Sequence, residues 1–258
     1  MRLLGDVANA ADHAIAAGPA SIETDRRSFL FDAGILSRGA NALKSVRVLC
    51  ELAHWENAAG IARQLFELAI NMEYINSCAD RTEQCVRYTK FGLMQMLEHE
   101  SLTLTYNKEA GRQIDEARLH ELHRFLDSEF REFRKVTSTG KIVTDMYWCG
   151  LNPRKLSERS KSKLRPNQYL ILFSNWSEQA HGAPGALIQG ILPRKFDPAK
   201  MIRDDTIRVA ETSSMALSLF LELWTLLPNV QAPGSDELLR WTDDMIRFAR
   251  HYGSIDPS

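Results

Sequence analysis

Two polar strips carry the residues best suited to chemistry. In the first, Arg63, Glu67 and Asn71 recur at four-residue spacing, with Tyr74 close by, which places them along one line of a helix. A guanidinium on such a line can clamp an anion while the carboxylate and amide orient it. The second strip is Ser174, Ser177 and His181, within a run in which Tyr169, Phe173, Trp176 and Ala180 form a packing face. His181 changes charge near neutral pH and is suited to general acid–base work.

Both strips also admit a structural reading. Arg63, Glu67 and Asn71 sit on a helix that is apolar around most of its circumference, so a buried strip would need internal partners and would act to fix helix register. His181 directly precedes Gly182, where a helix C-terminus favours a cation. Ser177 can bond back to the carbonyl of Phe173.

A third feature is basic: Arg154, Lys155, Arg159, Lys161, Lys163 and Arg165, opposed only by Glu158. Tyr147, Trp148 and Trp176 add aromatic rings, the combination of cations and stacking faces that RNA-binding surfaces use. A solvated loop is the plainer account of such a run. His120 and His123 lie three apart, which is weak as a metal-ligand pattern, and no HExxH, P-loop, GxGxxG or GxSxG is found. No metal and no cofactor is expected. Cys50, Cys78, Cys85 and Cys149 form no CxxC pair and read as free thiols in a reducing compartment.

The elements that position these residues are helical. No Gly or Pro occurs between Gly60 and Gly92, between Gly111 and Gly140, or between Pro198 and Pro228, and apolar residues recur there at three- and four-residue spacing. Ile61, Leu65, Leu68, Met72 and Ile75 form one such stripe, and Ile114, Leu119, Leu122, Leu126 and Phe130 another. Helices are expected over about 28–53, 56–79, 81–107, 113–136, 166–181, 204–227 and 235–251. The expected fold is all-α, a single helical-bundle domain over 1–258 of about seven helices with no substantial sheet. Its core is roughly 28–228, the helix 235–251 is C-terminal, and 137–163 is an irregular excursion.

Composition narrows the function classes. The 258 residues hold 32 Lys+Arg against 33 Asp+Glu and are 44% hydrophobic, which excludes wholesale disorder and a general polyanion binder. No signal-peptide pattern opens the chain, and the most apolar window, Met215 to Leu227, is too short to span a bilayer and carries Glu222. A cytoplasmic protein with no membrane partner is expected.

Arg63-Gln64-Leu65-Phe66-Glu67, Asn71 and Tyr74, with Trp148-Cys149-Gly150 and Ser177-Glu178-Gln179-Ala180-His181-Gly182, resemble a bacterial family known only as a domain of unknown function (family 5677). The resemblance covers roughly residues 30 to 225 and implies an all-helical fold. A looser similarity is to the HEPN superfamily of helical bundles, many of them metal-independent ribonucleases of toxin and phage-defence systems. Their motif is an Arg and a later His with four to six residues between them. Ser174, Asn175 and Trp176 occupy the positions an Arg would need before His181, while the spacing does occur at Arg47…His54 and at Arg118…His123.

Two expectations follow. As a ribonuclease, the chain would use His181 as acid/base and Arg63 as phosphate clamp, with Glu67, Ser177 and Asn71 as supporting groups. Tyr74, Trp148, Arg154, Lys155 and Tyr169 would contact RNA, and a homodimer would complete the cleft. As a non-enzymatic interaction module, a sensor or an adaptor to a partner protein, it would bury the polar strips as one hydrogen-bonded network.

Overall fold

The computed structural model describes residues 1–140, 142–175 and 198–252. The fold is all-α: nine α-helices and one small hairpin are found among the described residues. The chain divides into two compact units, residues 1–77 with 156–258, and residues 78–155.

The first unit is built on α1 (Arg2–Ala16), α2 (Arg26–Glu51), α3 (Trp55–Ser77) and α8 (Pro198–Thr225). α3 packs against both α2 and α8, α1 lies on α2, and α9 (Ser235–Tyr252) lies on α8 and α1. Small residues allow the close approach. Ala58, Ala59, Ala62 and Ala69 of α3 are buried. A Cβ at Gly39 of α2 would stand 3.0 Å from both Phe220 and Leu223 of α8. Leu36, Leu43, Leu65, Phe66, Ile70, Met72 and Trp224 fill the centre. Asp25 starts α2 by accepting a 3.0 Å hydrogen bond from the Ser28 amide. Inside that helix the buried Asp32 carboxylate accepts from both the backbone and the side-chain nitrogen of Asn229, at 3.1 and 2.7 Å, fixing the turn after α8.

The second unit is a helical hairpin, α4 (Arg81–Glu109) and α5 (Glu116–Glu129), closed by β1 (Arg134–Val136) and β2 (Ile142–Thr144). The side chains of Asp80 and Asp115 cap the two helices by accepting from the Glu83 and Arg118 amides, each at 2.9 Å. The strands are antiparallel, with Lys135 opposite Val143. Phe91, Met94, Leu122, Leu126, Phe130 and Phe133 form the core.

Several expected boundaries move. The helix expected over 113–136 ends at Glu129, because the apolar stripe stops at Phe130 and a 3₁₀ turn (Arg131–Phe133) inserts Phe133 into the core before β1. The N-terminal α1 was not expected: its inner face is Leu4, Val7, Ala8 and Ala11, and alanines contribute little apolar signal. Within 137–163 lie β2 and α6 (Pro153–Arg159), the latter with Asn152 accepting a 2.9 Å bond from the Lys155 amide, a cap followed by proline. The helix expected over 166–181 is α7 (Arg165–Leu170), continued by a π-helical turn over Ile171–Asn175. Residues 176–181 lie outside the described residues.

Candidate functional site

The first polar strip forms as its spacing predicts. Arg63 Nε donates to Glu67 Oε1 at 3.1 Å, and Asn71 Nδ2 donates to the Glu67 carbonyl at 2.7 Å. The Arg63 and Glu67 side chains are 33% and 40% exposed, so this strip is an accessible surface and not a sealed network.

Arg63 also reaches a second element. Its guanidinium lies 3.8 Å from the centroid of the Phe173 ring, in the π-helical turn. Phe66 meets the same ring edge-on at 6.0 Å, and Tyr169 of α7 stacks on it at 4.6 Å. The cation is thus held from below by Phe173 and from the side by Glu67. Phe173 stands four residues before Ser177 and eight before His181, both outside the described residues. A π-turn widens the helix locally and recurs at functional sites.

One turn beyond the strip lies a group that sequence reasoning missed. Arg165, the first residue of α7, is 1% exposed. Its Nε and Nη2 donate to Glu73 Oε1 at 2.8 and 2.5 Å, its Nη1 to Gln168 Oε1 at 2.7 Å, and Nη2 lies 2.6 Å from Glu222 Oε2. Desolvation pulls the guanidinium pKa down, but the hydrogen bonds and charges of Glu73 and Glu222 outweigh it and hold the group above its ordinary value. The sequence grouped Arg165 with the exposed basic run. The signal that could have separated it is Glu73, an acid flanked by the core residues Met72 and Ile75.

The remaining expected site residues divide between the units. Tyr74 is half-buried on α3 in the first unit, while Arg154 and Lys155 are exposed in the second. Trp148, also in the second unit, is 5% exposed, with Tyr88 edge-on at 5.3 Å and its carbonyl accepting from Arg87 Nε at 3.0 Å. Its ring is core, so it offers no free stacking face. Burial raises the thiol pKa of Cys50 and of Cys149, which opposes thiolate formation. In the Arg118…His123 pair, Arg118 is held by Glu100 and Glu121 and the His123 ring bonds to the Ser101 hydroxyl at 2.8 Å. Among the described residues no group of three His, Cys, Asp or Glu could hold a metal ion, and no helix is long and apolar enough to cross a membrane.

Fold and site together define an all-helical protein with an accessible Arg–Glu–Asn strip braced on an aromatic cluster. A family model described as a family of unknown function (DUF5677) matches residues 33–193, more than half of the chain and the part that contains both strips, and the chain belongs to that family. No curated protein and no solved structure shows a significant match to it.

Proposed function

We propose that the protein is a metal-independent endoribonuclease of the HEPN-like kind, acting in the bacterial cytoplasm in toxin or phage defence. The observation that carries this reading is the seating of Arg63 on Phe173, which ties the accessible Arg63–Glu67 strip to the segment leading into Ser177 and His181. His181 would take the proton of the ribose 2′-OH or return one to the leaving oxygen. Arg63, held by the Phe173 face and Glu67, would balance the charge that develops on the phosphorus-bound oxygens. Asn71 and Ser177 would support these two groups. Tyr74 and Tyr169 would contact the nucleotide.

The second reading, an interaction module, is favoured by one observation: Arg63 already has a carboxylate and a ring as partners. Cleavage of a mixed RNA pool by the full chain in EDTA separates the two. The ribonuclease reading expects fragments from the wild type and at least a hundredfold less from folded His181→Ala and Arg63→Ala proteins. Equal cleavage by all three, or intact RNA throughout, overturns it.

A further inference from the structure

In the first unit, a cavity of about 370 Å³ opens between the C-terminal end of α3, the end of α6 and the loop that follows it. That volume lies in the range of small-molecule sites. Its chemistry is divided. Arg159 and Lys161 line it and are exposed, and neither has a carboxylate partner among the described residues. Ser162 adds a hydroxyl beside them. On another part of the wall stand Glu73 and Tyr74, with Leu156 and Leu226 providing apolar surface.

Glu73 is the informative member. Its Oε1 takes both hydrogen bonds from Arg165, whereas its Oε2 is buried with no hydrogen-bond partner among the described residues. A buried carboxylate oxygen without a donor is costly, and native proteins rarely leave one so. A ligand that suits this cavity therefore brings three things: an anion for Arg159 and Lys161, a flat apolar body for Tyr74 and the leucines, and an N–H donor for Glu73.

We propose that this cavity binds a nucleoside monophosphate. Its phosphate is held by Arg159 and Lys161, its base lies along Tyr74 and Leu156, and an N–H of the base donates to Glu73 Oε2. The site shares Tyr74 with the proposed RNA contact but uses neither His181 nor Arg63, so it stands whether or not the RNA-cleaving role does.

Isothermal titration of the full chain with adenosine and guanosine 5′-monophosphates, ribose 5-phosphate and inorganic phosphate tests it. At least one nucleotide is expected to bind about tenfold or more tighter than ribose 5-phosphate or phosphate. The double variant Arg159→Ala/Lys161→Ala, at two exposed positions outside the core, is expected to weaken that binding by about tenfold or more. His181→Ala is expected to leave it unchanged, so that this proposal and the ribonuclease reading fail separately. No saturable binding of either nucleotide at millimolar concentration overturns the proposal, as does equal affinity for inorganic phosphate or undiminished affinity in the double variant.

Discussion

Arg165→Ala is the perturbation whose effect the structure sets most sharply. The guanidinium serves Glu73, Gln168 and Glu222 together, and its removal strands the Glu73 carboxylate with only 17% of that side chain exposed. Breaking a buried charge pair by deleting one partner costs about 3–5 kcal/mol. Glu222 is 41% exposed and keeps a 3.1 Å hydrogen bond from Ser218, so it recovers water readily and the loss falls at the low end, about 3 kcal/mol. For a unit of this size that is a melting-temperature decrease of roughly 6–12 °C, read by far-ultraviolet circular dichroism. Removing both charges, as Arg165→Met with Glu73→Met, is expected to recover most of the loss, because an apolar pair of similar volume leaves no buried charge to compensate. An Arg165→Ala protein melting within about 2 °C of wild type would refute the reasoning, since a stranded buried carboxylate cannot be that cheap.

Two further outcomes follow from the packing and the charges. Gly39→Val forces methyl groups against Phe220 and Leu223, where a Cβ alone already stands at 3.0 Å, and is expected to cost roughly 2–3 kcal/mol in urea unfolding; an unchanged midpoint would show that α2 and α8 separate freely. The hydrogen bond from Arg118 holds the Glu100 carboxyl below its ordinary value of 4.5, so its contribution is complete above that pH and is lost as the pH falls through the depressed value. Glu100→Gln should accordingly melt below wild type at pH 7, with the gap closing in acid; a gap constant from pH 7 to well below 4.5 would contradict this linkage.

What the sequence made legible was what local spacing encodes. The Ile61–Ile75 stripe and the Arg63, Glu67, Asn71 line are properties of one helix, and both appear as expected. The Arg165–Glu73 pair joins residues 92 positions apart, and no local periodicity announces it. The cavity beside Arg159 is tertiary in the same sense: its walls come from three separated stretches of chain. The π-helical turn left no mark either, since Ile171-Leu172-Phe173 reads equally well as α-helix. It is this turn that presents Phe173 to Arg63, so the contact between the first strip and the aromatic cluster became visible only in three dimensions.

The most direct test of the central claim uses paired oligonucleotides, an RNA and its 2′-O-methyl counterpart, incubated with the wild-type chain in EDTA. A cleaving His181 that works through the ribose hydroxyl predicts fragments ending in a cyclic phosphate from the RNA and none from the methylated strand. Intact RNA, or equal cutting of both strands, would contradict the account.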